Sequence, residues 1–457
     1  MAAAYDVIVV GARCAGAPLA SHLARAGARV ALLEAASLPS DQPMSTHLLQ
    51  PPALDELDRL GLGDRVRGLT PAIQAGRFAF DDEEMVMRYG AGRAAYCLRR
   101  DILDPMLQEN AAAAGADLQE QSRVVGLDRN ERGRVCGVKV KRRSGMVEAL
   151  GAALVVGADG RNSSVARLTG AREYLAYDAP RAAYWAYWKR PRSWNASMLY
   201  NGRRGTSSHV LFPTGADQVL IATSPPVSEA WHGDHDSGYA RDLCANAALA
   251  SVVEGARPIS RVRVLGRTRY FFRQSAGPGW VLAGDAGHHK EFFVGFGITD
   301  ALRDAAALAA AIAGGAGADV ERYWRQRDCD RMAMYQWGRQ MGRAAAVSPL
   351  ERLIARRAAV SPEITSRFAA VIDAKLPPSA LFPPSRILAW TVGEAARGNT
   401  APLAKVPGKL VETWKDFCEI RRRRRELDAH GRERRQGLEA PRTEGMLGAA
   451  CRHPATS

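Results

Sequence analysis

Tyr5-Asp6-Val7-Ile8-Val9-Val10-Gly11-Ala12-Arg13-Cys14-Ala15-Gly16 is the stretch that decides the fold. Its apolar, β-branched first half is the kind of run that is buried in a parallel sheet. A glycine turn follows at once. The helix-forming segment Ala17-Pro18-Leu19-Ala20-Ser21-His22-Leu23-Ala24-Arg25 then runs to a stop at Gly27, and Ala28 to Glu34 reads as a second buried strand. Together these make one βαβ unit. Gly11 permits the tight turn, and Gly16 lets the helix pack closely on the sheet. The free N–H groups at the helix start suit a pyrophosphate, and Glu34, ending the second strand, is placed to accept a ribose hydroxyl. The loop departs from GxGxxG at one point: Arg13 replaces the middle glycine, so its side chain must turn away from the phosphates or reach over them.

Outward from this unit, Arg99 to Gly115 has helical spacing, and the segments after it read as short strands up to Gly160. From about 175 to 272 the pattern changes to alternating strands rich in aromatics, which predicts a mainly antiparallel substrate domain. Trp280 to Asp285 returns to a buried strand followed by an alanine-rich helix. The expectation is an α/β chain with a discontinuous Rossmann-like dinucleotide domain of the glutathione reductase type. Its parts would be residues 1–174, with a piece of the substrate domain inserted at about 65–98, and 273–320. Between them lies the antiparallel substrate domain, 175–272. A C-terminal helical region, 321–420, and a basic, disordered tail, 421–457, would complete it.

Composition narrows the class. The chain has 457 residues and 47% hydrophobic composition, enough for several packed units. No stretch approaches the roughly 20 apolar residues that span a bilayer, and the first residues run straight into a strand rather than a signal peptide. A cytoplasmic protein is expected. The cysteines number 7 and are scattered, never in a CxxC spacing, which argues against a disulfide framework or a metal site. The formal charge of +15 is concentrated locally at Arg421 to Arg425, read as a solvated helix end and tail rather than a nucleic-acid contact.

Two further segments complete a pattern with the βαβ unit. Val156-Gly157-Ala158-Asp159-Gly160-Arg161 forms a DG segment and Gly284-Asp285-Ala286-Gly287-His288 a GD segment, with Arg100 opening a helix between the first unit and both. Three motifs in this order resemble the flavoprotein family that includes hydroxylases of the para-hydroxybenzoate hydroxylase type. The same family holds squalene and ubiquinone-pathway monooxygenases, flavin-dependent halogenases and geranylgeranyl reductases. The resemblance covers about residues 5 to 330 and implies FAD as cofactor. It also implies a binding set of Gly11, Ala12, Cys14, Ala15, Gly16, Glu34, Arg100, Asp159, Gly160, Gly284, Asp285, Gly295, Gly297 and Ile298. In relatives the aspartate of the GD segment contacts the ribitol or ribose region, and the arginine at Arg100 reaches the phosphates. A proline usually follows close to the flavin, but Phe292 stands in its place here.

No second strand-glycine-helix unit is present for a nicotinamide, so NAD(P)H is expected only as a transient reductant. The resemblance then implies a monooxygenase that uses O2 through a C4a-(hydro)peroxyflavin to hydroxylate an aromatic or polycyclic small molecule. Two alternatives belong to the same family. Halogenation is opposed by Trp185-Ala186-Tyr187-Trp188-Lys189-Arg190-Pro191, which has the wrong spacing for WxWxIP. Reduction of an unsaturated isoprenoid lipid is suggested by Phe212-Pro213-Thr214-Gly215, without the aromatic residues that precede it in those enzymes. A flavin-binding interaction protein with a polyanion-binding tail is the reading from another class. No side chain need be a nucleophile, and His47, His288 and Phe292 are the residues expected nearest the flavin, with His288, His289 and Lys290 bordering its entrance. Tyr184, Trp185, Tyr187, Trp188 and Phe212 are expected around an apolar pocket, although strand alternation puts only half of the first four on that side. Helices beyond residue 320 would either cap the cavity or make a homodimer contact.

Overall fold

The computed structural model describes residues 4–39, 45–191, 194–231, 233–313 and 319–437. Strand Tyr5–Val10 pairs in parallel with Val147–Gly157 on one side and Val30–Leu33 on the other. Asp117–Gln119 and Trp280–Leu282 extend the parallel order outward. Val7, Ile8, Val9 and Val10 are buried because both faces of this sheet are covered. Helices Gly16–Arg25, Arg100–Ala113 and Gly297–Ala313 pack together on one face. The strand Val147–Gly157 outruns its parallel partners, and its first half forms an antiparallel ribbon with Val135–Lys141 and Arg123–Arg129.

The second layer is a seven-stranded sheet in the order 263–265, 183–189, 218–224, 207–213, 198–204, 75–80, 83–88. Every pairing in it is antiparallel except that of 75–80 with 198–204. Strand alternation explains how one very aromatic segment serves two cores. Trp185 and Tyr187 face a cluster with Phe212, Phe293 and Phe368, whereas Tyr184, Ala186 and Trp188 face helices His235–Cys244 and Ala247–Val253. Burying each such ring is worth about 1.5–3 kcal/mol, so both faces of the sheet are strongly held.

A small sheet of Glu173–Asp178, Arg269–Arg273 and His288–His289 ties the two layers together. The last strand read from the sequence before residue 272 therefore belongs to this bridge rather than to the large sheet. An α/β fold with a Rossmann-like domain, an antiparallel sheet domain and C-terminal helices is the architecture observed, as the sequence led one to expect.

Helices Val320–Met341, Pro349–Ala359, Pro362–Ile372, Pro384–Ala395 and Ala401–Gly437 follow. Ser348 and Glu351 form a reciprocal capping box at the second of these. One expectation is corrected: Arg421 to Arg425 do not begin a disordered tail but continue the last helix to Gly437. The rest of the expected tail, residues 438–457, lies outside the described residues. Among the described residues no helix is long and apolar enough to cross a membrane.

Candidate functional site

Gly11 has φ +100°, and a Cβ there would lie 2.5 Å from the Ala158 carbonyl oxygen. At Gly16 a Cβ would come within 1.8 Å of the Gly11 oxygen. No side chain fits at either point, so the glycine loop and the DG segment cross in direct backbone contact. The helix that starts at Gly16 has no side-chain cap and no acidic residue in its first turn. The Ala17 amide donates to the Arg13 oxygen at 2.9 Å and Pro18 has no N–H, so an anion would be met by the amide of Gly16 and those of the loop just before it. Glu34 is buried and accepts the amides of Ala12 at 3.1 Å and Ala36 at 3.0 Å. Its carboxylate has room for a further donor. Arg13 turns toward Glu34, at 3.9 Å, which answers how the loop tolerates an arginine at the middle glycine position.

Arg100 is buried and its guanidinium is gripped by Asp104, with Nε donating at 2.6 Å and Nη2 at 2.9 Å. Cys14 donates its thiol to the same carboxylate at 3.5 Å, and burial pushes that thiol well up from its ordinary range. Gln108 Nε2 donates to the Ala12 oxygen at 2.8 Å. Asp104 and Gln108 were missed in the sequence, although their spacing from Arg100 places all three on one helix face.

Asp159 is committed to its own loop. It accepts the Ser163 hydroxyl at 2.5 Å, the Ser164 amide at 2.7 Å and hydroxyl at 2.6 Å, and the Val165 amide at 3.3 Å. It therefore caps helix Ser164–Thr169 together with Ser163. The neighbouring Gly160 makes the turn with φ +77°.

At the GD segment, Gly284 packs so close to Ala15 that a Cβ would lie 2.8 Å from its methyl carbon, which joins the GD and glycine loops. Asp285 is hemmed in by protein yet leaves 42% of its side chain accessible, with His289 Nδ1 at 3.2 Å. Burial pushes its carboxyl up, but the adjacent His289 imidazole and the charges beyond it bring it below its usual range. His288 is not at an entrance, which corrects the expectation. It is buried, stacked on Phe272, and sits 3.6 Å from Asp300 and 3.7 Å from Asp304. Lys290 is also buried rather than bordering an opening, and pairs with Asp300. Arg331 Nε reaches the other Asp300 oxygen at 2.9 Å. Asp304 accepts the Gly284 amide at 3.2 Å. A buried ionic network thus supports the GD turn from behind.

His47 has φ +60°, a region that non-glycine residues seldom occupy. The Leu98 amide donates to its oxygen, and its Nε2 meets the Tyr187 hydroxyl at 2.6 Å. Burial first, then the positive Arg100 and Arg99, brings the imidazole down to about 3. Beside it, the Gln50 amide donates to Thr299 Oγ1 at 3.3 Å, and Gln50 Oε1 accepts the Tyr89 hydroxyl at 2.9 Å. Gly295, with φ +67°, passes against Leu48, where a Cβ would lie 2.7 Å from Cδ2. Gly297 and Ile298 begin the following helix, and Phe292 packs at the edge of the aromatic cluster.

A cavity of about 580 Å³ opens at this junction, between the large sheet and the C-terminal helices. Leu48, Gln50, Phe293 and Val294 form its floor, and Phe212, Trp337 and Phe368 are among its walls. Of the five sheet aromatics expected there, only Phe212 lines it. Tyr187 and Trp185 lie behind that wall in the same core, and Tyr184 and Trp188 face the opposite side. Trp337 and Phe368 carried no signal in the sequence, because helix periodicity does not tell a cavity wall from ordinary core.

A narrow glycine loop, an uncapped helix start, an acidic strand end and a partly accessible aspartate fit a dinucleotide. The chain belongs to the FAD binding domain family, whose sequence model matches residues 4–323. It is an FAD-dependent oxidoreductase, as expected, with FAD as its cofactor. Among solved structures it is similar to the flavin-dependent brominase Bmp2, at 15% identity and TM-score 0.70 over 86% of this chain and 100% of that one. A flavoprotein/dehydrogenase from Cytophaga hutchinsonii gives 15% identity and TM-score 0.71, covering 85% and 99%. Aklavinone-11 hydroxylase, in a ternary complex with FAD and aklavinone, gives 19% and 0.60, covering 80% and 73%. These identities speak for a common fold. No curated protein matches by sequence.

Proposed function

We propose that the protein is an FAD-dependent monooxygenase, fed by NADH or NADPH, that hydroxylates an aromatic or polycyclic small molecule. The observation that carries this reading is the cavity of about 580 Å³, whose floor is built from the Leu48–Gln50 and Phe293–Val294 segments. Both segments adjoin the residues assigned here to FAD. The glycine loop, Glu34 and the helix start at Gly16 would hold the adenosine and pyrophosphate parts, with Asp285 reaching the sugar chain. Bound flavin supplies the capacity to take up electrons and activate oxygen. The protein's own work is to hold an apolar substrate against it and to keep water away.

Several features serve those tasks. Phe212, Trp337 and Phe368 offer flat apolar walls, while Asn201, whose Nδ2 donates to the Phe293 oxygen at 3.1 Å, fixes the floor to the sheet. Helix Gly297–Ala313 starts three residues beyond Val294, and its first free amides would favour negative charge on the flavin. His47, kept neutral, would fix its loop rather than carry protons.

Anaerobic mixing of the FAD-loaded protein with NADH and with NADPH, with and without polycyclic phenols, tests the reading. Flavin bleaching accelerated by a phenol supports it. Reduction by neither nicotinamide under any condition would instead assign the electrons to a separate partner protein, as a halogenase or lipid reductase requires.

A further inference from the structure

The last helix carries an outward face that its own fold leaves uncovered. Leu410, Trp414 and Phe417 recur at i, i+4 and i+7 and so form one stripe, with 45%, 65% and 46% of their surface exposed. Val411 adds a fourth apolar side chain at 54% exposure. Helix Pro384–Ala395 packs alongside and presents Leu388 and Val392, 48% and 52% exposed. Scattered apolar residues are ordinary on a surface, but a contiguous patch on two paired helices marks a contact site.

Charge indicates what the contact is. One turn beyond Phe417, the exposed Arg421, Arg422 and Arg425 continue the same face, and Lys415 flanks it. Four acidic residues of this helix are engaged away from it, Glu412 with Arg343 and Lys409, Asp416 with Gln340, Glu419 with Gln336, and Glu426 with Arg423, and the exposed Asp428 leaves the arginines in excess. The outer face is therefore apolar and positive. A second copy placed on it would bring a face of the same net sign. An anionic lipid surface matches both properties, since tryptophan, phenylalanine and leucine enter the headgroup boundary while arginines meet lipid phosphates.

The cavity gives this face a use. Leu410, Phe417 and Arg421 line the cavity and are also exposed, so its wall continues onto the outer surface. We propose that the outer face of helices Pro384–Ala395 and Ala401–Gly437 docks on an anionic membrane, so that the cavity mouth opens toward the lipid. A ligand that partitions into the bilayer would then enter without crossing water. The docking itself stands whatever reaction the flavin carries out.

Flotation of the full FAD-loaded chain with vesicles tests it, without turnover. Vesicles of phosphatidylcholine containing phosphatidylglycerol should carry the protein, those of phosphatidylcholine alone should not, and added salt should release it. Trp414→Ser with Val411→Ser should abolish flotation at unchanged FAD content. Lys415→Gln, Arg422→Gln and Arg425→Gln together should weaken it about a hundredfold. Absence of flotation with anionic vesicles would overturn the proposal, as would flotation that neither variant set reduces. A stable dimer that Trp414→Ser dissociates would also overturn it, by giving the face to a second copy.

Discussion

His47 and Tyr187 meet at 2.6 Å between imidazole Nε2 and the phenol oxygen, 140 positions apart in the chain. This contact joins the loop after the second strand of the dinucleotide domain to the strand Ala183–Lys189 near one edge of the large sheet. It also fixes how that loop approaches the cavity floor at Leu48 and Gln50.

Acid should expose the contact. The His47 imidazole is held down to about 3 from an ordinary 6.5, so below the ordinary value the unfolded chain takes a proton that the folded one refuses. Stability from the neutral ring is full above that value and falls as pH drops toward 3, by about 1.4 kcal/mol per pH unit. Thermal melts between pH 4 and 7 should show a shallower acid loss in His47→Gln than in the parent protein. Equal slopes would show that His47 takes up protons in the folded state.

Flavin retention and folding should separate at Asp285. Its side chain is partly accessible and has one close partner, His289, so Asp285→Ala should melt like the apoprotein of the parent chain yet purify mostly without yellow colour. Gly16→Val should fail differently, because a Cβ at 1.8 Å from the Gly11 oxygen forces the βαβ turn apart. Absorbance per protein chain and the melting temperature distinguish the two.

Asp159 should behave as a helix cap. Asp159→Ala removes acceptors for two amides and two hydroxyls and should cost about 1–2 kcal/mol. Flavin content measured at low temperature should stay close to that of the parent. If flavin is lost from a fully folded variant, the carboxylate serves the cofactor directly.

The ionic network behind the GD turn should be sensitive to single changes. Asp300→Ala strands Lys290 and Arg331 in a buried site and should destabilise by about 3–5 kcal/mol. Lys290→Met combined with Asp300→Leu should recover part of that loss, because a charge pair leaves together. Melting temperatures of the two variants decide it.

The physical limits of sequence reading are visible in these same residues. The βαβ unit was legible because buried strands, a glycine turn and a helix leave a local periodic pattern, and Glu34 falls at the strand end by spacing alone. Arg100 could be placed on a helix, but its grip on Asp104 depends on burial, which periodicity hardly reveals. His288 and Lys290 looked like groups near an opening, since charged residues after a turn are usually exposed. Their partners on helices Gly297–Ala313 and Val320–Met341 are assembled only by tertiary packing. The basic run at Arg421 reads as the start of a tail for a related reason: charge composition outweighs helical continuity, although the partly buried Ile420 before it and the buried Leu427 after it anchor the segment.

The most direct test of the central claim is turnover of the FAD-loaded protein under ¹⁸O₂ with NADH or NADPH and a panel of polycyclic phenols, read by mass spectrometry. Coupled turnover should place one labelled oxygen atom in the product per nicotinamide oxidised. A product that is reduced or halogenated, or whose new oxygen comes from water, would contradict it.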